Sequence, residues 1–254
     1  MKVRILGSGT SSGVPRIGNH WGACDPADPR NRRTRASILV EHDGTRILVD
    51  TSPDMRDQLL AADVATVDAI VWTHDHADHC HGIDDVRQIY HATGRPVAGY
   101  ALPATLDALT SRFRYVFSGK RGYPPTVAGA VLPPEVVIGG ITLRSVEQPH
   151  GSIVSAGLRF EAGGTAIGYA TDFNAMTPAM RALYAGLDVW IVDALRHAPH
   201  PTHPTVAAVL GWIDELNPRR SAFVHMDHSL DYAALAAALP HGVEPGYDGL
   251  EIVP

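Results

Sequence analysis

The chain has 254 residues, of which 45% are hydrophobic and 19% charged, and its formal net charge at pH 7 is −6. This length and composition are typical of a globular protein with a sizeable core, and they exclude a disordered, collagen-like or coiled-coil chain. The acidic balance argues against a broad basic surface for nucleic acid. The two cysteines, Cys24 and Cys80, are too few for a disulfide framework and suit a reducing compartment.

The N-terminus lacks the apolar run of about 7–15 residues that marks a signal peptide. No window approaches the roughly 18 apolar residues of a membrane span. We therefore expect a cytoplasmic protein without membrane contact, and we expect residues 1–254 to form one domain.

In the first third, short apolar runs separated by turns predict strands. An Asp-Gly pair within 42–45 favours a hairpin between two of them. Ser52 and Pro53 have the pattern of a helix N-cap and first turn, and this helix is expected to continue to about Ala62. The predicted strands are 3–6, 37–41, 46–50 and 69–72.

The second half repeats this pattern, with apolar positions at helical spacing in 205–216. Residues 119–134 are rich in glycine and proline and predict a long surface loop. Two strand-rich halves with covering helices predict a layered α/β protein with two packed sheets. The predicted strands are 140–147, 155–161, 165–170, 189–193 and 220–225.

The segment 73–81 reads T-H-D-H-A-D-H-C-H and directly follows a predicted strand. It places His74, His76, Asp78 and His79 within six positions. Imidazole and carboxylate groups are the ligands that Zn²⁺ and similar divalent ions prefer. Because packing alone rarely concentrates these residue types, the segment predicts a metal site.

This H-x-H-x-D-H run resembles the signature of the metallo-β-lactamase-fold hydrolases. Other landmarks of that superfamily follow in the expected order along the chain: Asp50, His150, Asp172 and His225. The resemblance implies an α/β fold, a four-layered αββα sandwich, whose metal ligands lie on loops along one edge of the two sheets.

Within the superfamily, the chain is most similar to the phosphoribosyl 1,2-cyclic phosphate phosphodiesterase family. The similarity lies in several short motifs, among them the Gly-Val-Pro at 13–15 and the C-terminal segment G-Y-D-G-L-E-I at 246–252. That family has a cysteine-rich structural zinc site after the Gly-Val-Pro, where this chain keeps only Cys24. The resemblance leaves room for a reduced structural zinc site formed by His20, Cys24 and His228.

The resemblance implies two divalent ions, zinc or manganese, and a hydroxide between them that attacks phosphorus. His74, His76 and His150 would hold one ion. Asp78, which also belongs to the implied catalytic set, would hold the other with His79 and His225. Asp172 would bridge both ions, and Asp50 would orient ligands without binding metal. The implied metal ligands are therefore His74, His76, Asp78, His79, His150, Asp172 and His225.

The leaving group needs a proton, and by resemblance His203 occupies the position of the general acid. A histidine with an ordinary pKa can donate a proton at neutral pH. His197 and His200 lie in the same proline-rich loop and remain alternative donors. A separate basic run at 30–35 predicts a solvated face more readily than a phosphate site.

These observations favour a phosphodiesterase that acts on a small cyclic or nucleotide-like phosphate, either as a monomer or as a homodimer. A tRNA 3′-end nuclease is an alternative, although the acidic balance argues against it. Hydrolysis of a β-lactam or thioester is another alternative. A further alternative is a non-catalytic carrier or biosynthetic accessory protein, like the pyrroloquinoline quinone pathway protein of this fold.

Overall fold

The computed structural model describes all residues, Met1–Pro254, in two seven-stranded sheets with helices on their outer faces. The helices are α1 (Met55–Ala61), α2 (Ala77–Cys80), α3 (Val86–Thr93), α4 (Pro103–Arg112), α5 (Arg114–Ser118), α6 (Pro178–Tyr184), α7 (Val206–Leu216) and α8 (Tyr232–Ala238). None of them is long and apolar enough to span a membrane.

The strands are β1 (Lys2–Gly7), β2 (Ser37–His42), β3 (Thr45–Val49), β4 (Ala69–Trp72), β5 (Val97–Ala101), β6 (Val127–Val131), β7 (Glu135–Ile138), β8 (Ile141–His150), β9 (Ile153–Ala162), β10 (Thr165–Ala170), β11 (Val189–Asp193), β12 (Arg220–Val224), β13 (Val243–Pro245) and β14 (Glu251–Ile252). Several strands follow one another without an intervening α-helix, as in β1 to β3 and β6 to β10.

Each half of the chain supplies most of one sheet. The first sheet has the order β14-β1-β2-β3-β4-β5-β6, and the second has the order β13-β12-β11-β10-β9-β8-β7. Strands β3 to β6 are mutually parallel, as are β10 to β13. Because the carboxyl ends of parallel strands meet at one edge, residues that follow these strands lie close together.

Three apolar clusters hold the layers together. The largest contains 25 buried residues from the inner faces of both sheets, such as Ile38, Val71, Leu158 and Ile191. A second cluster lies between the first sheet and helices α1, α3 and α4. A third lies between the second sheet and helices α6, α7 and α8. Two outer clusters and one central cluster define four layers, and the predicted αββα sandwich is confirmed.

Two local predictions are wrong in part. The surface loop at 119–134 contains β6, which pairs with β5 as an edge strand, and only its first residues form a loop. Helix α1 begins at Met55 rather than at Pro53. The Ser52 hydroxyl accepts a hydrogen bond from the backbone N–H of Asp54, which forms a turn ahead of the helix.

Candidate metal centre

The candidate site lies at the edge where β3, β4, β8, β10, β11 and β12 end. Asp50 follows β3, Asp172 follows β10 and His225 follows β12, and all three have positive φ values of 65°, 54° and 57°. Non-glycine residues rarely adopt this conformation, and such residues concentrate at functional sites. The backbone therefore turns sharply at each strand end and directs the side chain toward one point.

The first group of potential ligands consists of His74, His76, His150 and Asp172, whose ligand atoms lie within 4.8 Å of one another. Asp172 Oδ1 is 3.7 Å from His74 Nε2 and 3.6 Å from His150 Nε2. The imidazoles of His76 and His150 approach to 3.4 Å, between Nδ1 and Nε2. The structure thus brings together the four residues that the resemblance assigned to the first ion.

The second group consists of Asp78, His79 and His225. Asp78 Oδ2 lies 3.2 Å from His79 Nε2 and 3.4 Å from His225 Nε2. The other Asp172 oxygen, Oδ2, is 3.1 Å from His79 Nε2 and 3.5 Å from His225 Nε2. One carboxylate oxygen of Asp172 faces each group, which is the arrangement that a bridging ligand requires.

The chemistry of the donor atoms fits divalent ions. His74 Nε2 and His79 Nε2 are buried and make no hydrogen bond within the chain, although Asp172 oxygens lie 3.7 and 3.1 Å from them. Burying an unpaired polar atom is costly, and a metal ion in the cluster would satisfy both lone pairs. The buried Asp50 carboxylate accepts the His79 Nδ1–H at 2.7 Å, and the Thr202 carbonyl accepts the His150 Nδ1–H at 3.0 Å. Each bond leaves Nε2 free to bind metal.

Asp50 is itself held in place by Thr73, which precedes the first ligand. The backbone N–H of Thr73 donates to Asp50 Oδ1 at 2.7 Å, and its hydroxyl donates to Oδ2 at 2.8 Å. Asp50 therefore orients His79, as the resemblance implied.

Charges within the cluster are strongly coupled. Burial raises the pKa of Asp172, but the nearby imidazoles of His225, His79 and His74 outweigh it and hold the pKa well below its usual range. Burial lowers the pKa of His225, yet Asp172 and Asp78 raise it to about 9. The pKa of Asp78 is also held well below its usual range, despite its burial, by His79 and His225, so two ionised carboxylates lie in the cluster and can balance the charge of cations.

His203 lies beside these two groups, and its ring nitrogen lies within 4.8 Å of ligand atoms of Asp172, Asp193 and His225. Its Nε2 is 3.8 Å from Asp172 Oδ1, and its Nδ1 is 2.7 Å from Oδ2 of the fully buried Asp193. Asp193 Oδ2 also accepts the backbone N–H of Asp172 at 3.2 Å. Asp193 therefore fixes the ring of His203 so that Nε2 faces the metal centre.

The alternative proton donors lie farther out. His203 lines the cavity of about 190 Å³ at the metal centre, whereas His197 and His200 do not. His197 is exposed, and the Nδ1 atom of His200 is 3.2 Å from the hydroxyl of Thr202. The geometry favours His203 among the three.

An adjoining cleft of about 450 Å³ shares Ser11 and Asp78 with the metal cavity. It is lined by Arg16 and Arg35. Arg35 pairs with Asp54 at 2.9 Å, whereas Arg16 contacts only the Ser12 hydroxyl, at 3.3 Å. The cleft therefore carries positive charge directly beside the predicted ligands.

Arg112 at the end of α4 holds the loop that carries the first ligands. Its guanidinium donates to the backbone carbonyl of Asp75 at 2.7 Å and pairs with the Asp75 carboxylate. Because Asp75 lies between His74 and His76, this contact fixes the backbone of both histidines.

The structure does not bring His20, Cys24 and His228 together as a ligand group, so the structural zinc site stays a prediction. The Cys24 thiol donates to the backbone carbonyls of His228 and Leu230, and no metal-ligand group includes these three residues. The space beside Cys24 is filled by the buried guanidinium of Arg33, 3.9 Å from Sγ.

The basic run at 30–35 was interpreted as a solvated face, and the same contacts correct this for Arg33, whereas Arg30 and Arg32 are exposed as expected. Arg33 is only 2% exposed and donates to the backbone carbonyls of Asp227 and Leu230 at 3.1 and 2.7 Å. It joins the N-terminal segment to the turn that follows the last ligand strand, so this arginine has a structural role.

The family of the chain follows from comparison with known proteins. A family model described as "Beta-lactamase superfamily domain" matches residues 45–226, a range that contains all seven predicted ligands. Together with the two sheets and the His/Asp cluster, this match shows that the chain belongs to the metallo-β-lactamase superfamily, which consists mostly of hydrolases. Within the superfamily it lies close to the PhnP-like proteins.

Two solved structures are similar over their whole length. A crystal structure of a diphosphatase from the PhnP family is 36% identical, with a TM-score of 0.90, and the match covers 99% of this chain and 97% of that chain. Zinc-bound PqqB from Methylobacterium extorquens is 21% identical, with a TM-score of 0.79 and complete coverage of both chains. The second likeness shows the fold alone.

Two curated relatives differ in length. An octanoyltransferase of Porphyromonas gingivalis (strain ATCC BAA-308 / W83) is 34% identical over 262 residues, covering 100% of this chain and 51% of that protein. The chain thus spans about half the length of this relative. Coenzyme PQQ synthesis protein B of Xanthomonas campestris pv. campestris (strain B100) is 26% identical over 302 residues, covering 99% of both.

Sequence reasoning missed the roles of Asp193, Thr73 and Arg112. Asp193 is the last residue of an apolar strand, and Asp50 and Asp172 lie just after the ends of two others. This repeated pattern is a signal that could have identified Asp193. Arg112 carries no such signal, because its partner Asp75 is 37 positions away.

Proposed function

We propose that the protein is a dinuclear metal-dependent phosphodiesterase that acts on a small cyclic or nucleotide-like phosphate. The observation that carries the proposal is the position of His203, which Asp193 holds at the wall of the cavity that the ligand groups surround. A potential proton donor and two ligand groups thus face the same 190 Å³ space.

In this proposal, His74, His76 and His150 hold one zinc or manganese ion, and Asp78, His79 and His225 hold the other, with Asp172 shared. When bound, the two ions supply Lewis acidity and an acidified water molecule near neutral pH. The chain's own residues set the spacing of the ions, because each oxygen of Asp172 faces one group.

His203 has the role of proton donor to the leaving oxygen. The Asp193 carboxylate accepts the Nδ1–H, so the proton that is transferred resides on Nε2, the atom that faces the cavity. Once the proton has left, Asp193 still holds the ring in the tautomer that keeps Nε2 available for reprotonation from water.

The cleft beside the metal cavity supports an anionic substrate. Arg16 has no carboxylate partner, and the backbone N–H groups of Ser11 and Ser12 make no hydrogen bond within the chain. Guanidinium and free N–H groups are the donors that bind phosphate oxygens. The 36% identity to a PhnP-family diphosphatase supports the same substrate class.

A non-catalytic accessory role is the second candidate function. It is favoured by the 26% identity to PQQ synthesis protein B over the full length of both chains. A tRNA 3′-end nuclease stays an alternative that the net charge of −6 disfavours. We further propose a cytoplasmic location, one domain over 1–254, and either a monomer or a homodimer as the working form.

The test is turnover of bis(p-nitrophenyl) phosphate by the metal-loaded protein, with His76→Ala as control. The phosphodiesterase proposal predicts turnover that falls at least a hundredfold in the variant. Equal rates for both proteins would refute it. A panel of cyclic phosphates, a short RNA and a β-lactam then separates the hydrolase classes, and inactivity of the metal-loaded protein on all of them supports the accessory role.

A further inference from the structure

A second large cavity lies away from the metal centre. It has a volume of about 540 Å³, compared with about 190 Å³ at the metal centre, and the two share no lining residue. Helix α3 forms one wall, and α5 with the turn at 120–123 forms the other. This volume falls within the range of about 300–1,000 Å³ that is typical of small-molecule sites.

The turn at 120–123 brings two cations to the mouth of this cavity. Lys120 and Tyr123 exchange backbone hydrogen bonds of 3.0 Å in both directions, which closes a two-residue turn. Gly119 permits it, because a Cβ atom there would lie 2.4 Å from the Tyr123 carbonyl. Lys120 and Arg121 are exposed, and neither has an ion-pair partner.

The opposite wall adds a third cation and the only acid among the twelve lining residues. The Arg87 side chain is 55% exposed although its guanidinium lies 3.5 Å from Asp84. The lining therefore carries two more positive than negative charges, on a protein whose overall charge is −6. A local positive surface of this kind attracts an anion.

Three tyrosines line the same cavity: Tyr90, Tyr115 and Tyr123. Tyr123 is 78% exposed and Tyr115 is 42% exposed, so much of their aromatic surface is in contact with water. Exposed aromatic rings beside a cavity favour stacking with a planar ligand, and each stacked ring adds favourable binding free energy.

We propose that this cavity binds an aromatic phosphate of the nucleoside monophosphate class. Lys120 and Arg121 contact the phosphate, and the ring stacks against Tyr123. A simple anion would leave the three tyrosines without a role, and an uncharged aromatic ligand would leave the cations unpaired. The site is separate from the metal centre, and it does not depend on the proposed phosphodiesterase activity.

The experiment is a calorimetric titration of the metal-loaded protein with AMP, accompanied by adenosine and inorganic phosphate as fragments of the probe. We expect saturable binding of AMP, and at least tenfold weaker binding of each fragment. Phosphate that binds as tightly as AMP, or no saturable AMP binding at millimolar concentrations, would overturn the proposal.

Variants locate the bound AMP. The double variant Lys120→Ala/Arg121→Ala is expected to weaken AMP binding at least tenfold and to leave turnover of bis(p-nitrophenyl) phosphate unchanged. Arg56→Ala, which removes an exposed arginine from α1, is the matched control and should bind AMP normally. Loss of AMP binding in the metal-site variant His76→Ala, with normal binding in the double variant, would place AMP at the metal centre and refute the proposal.

Discussion

Replacement of Asp50 by asparagine tests how the chain prepares a metal ligand. The Asp50 carboxylate accepts the His79 Nδ1–H on Oδ2 and the Thr73 backbone N–H on Oδ1. An asparagine has one oxygen and one NH₂ group, so one of these two donors must face the NH₂ group. If it is His79, the ring is forced into the tautomer with its proton on Nε2, the atom that faces Asp78 and Asp172.

That tautomer cannot bind metal, and we expect Asp50→Asn to lower the affinity for one of the two ions. Loss of a carboxylate that orients a metal-binding histidine typically costs 10–100-fold in metal affinity. Since each factor of ten is about 1.4 kcal/mol, this corresponds to about 1.4–2.7 kcal/mol of binding free energy. The assay is competition for zinc with a chromogenic chelator, together with the metal content of the purified protein.

Asp248→Asn is the matched control, because Asp248 is a buried carboxylate that accepts four hydrogen bonds, from the backbone and hydroxyl groups of Ser8 and Thr34, where Asp50 accepts three. Asp248 contacts no predicted ligand. We expect this variant to unfold at a lower temperature than the wild type and to keep both ions. Asp50→Asn with wild-type zinc affinity, or equal loss of zinc in both variants, would refute the reasoning.

Three further predictions follow from the same contacts. Asp193→Asn should slow hydrolysis of a diester with a poor leaving group by about 10²–10⁴-fold, because it disturbs the tautomer of the proton donor His203. It should slow hydrolysis of bis(p-nitrophenyl) phosphate much less, since p-nitrophenolate leaves without a proton. Equal slowing with both substrates would argue against acid catalysis by His203. Arg112→Met should weaken zinc binding by roughly tenfold in the chelator assay, because the loop of His74 and His76 loses its hydrogen bond to the guanidinium, and Arg112→Lys should restore part of the affinity. Unchanged zinc affinity in Arg112→Met would exclude this positioning role of Arg112. Cys24 and Cys80 are 3% and 0% exposed, and burial raises the pKa of the Cys80 thiol to about 12. A thiol reagent should therefore label neither cysteine in the native protein and both in urea. Rapid labelling of Cys80 in the native protein would contradict the packing around α2.

The central strands could be predicted from local pattern alone. Strands β4, β10 and β11 are continuous apolar runs, as expected of parallel strands buried on both faces. Strand β6 could not be predicted, because its sequence, Val-Ala-Gly-Ala-Val, lies among glycines and prolines. It is a strand because it pairs with β5 at the sheet edge, a contact between distant parts of the chain.

The candidate site, like the fold, could be predicted from the sequence only in part. Four predicted ligands lie within His74–His79, where the residue types alone indicated a metal site, whereas His150, Asp172 and His225 were implied by the family resemblance. The hydrogen bond between His203 and Asp193 depends on how β11 and the following loop pack, and no spacing rule gives it. Likewise, Cys24 suggested a metal ligand by its position, whereas the guanidinium of Arg33 beside it became visible only in three dimensions.

The central claim is that one centre holds two ions that share Asp172. The most direct measurement is the metal content per chain, by mass spectrometry of the elements, for the wild type and for Asp172→Ala. The account predicts two divalent ions in the wild type and the loss of at least one in the variant, because each carboxylate oxygen of Asp172 faces a different ligand group. Fewer than one ion in the wild type, or an unchanged count in the variant, would contradict it.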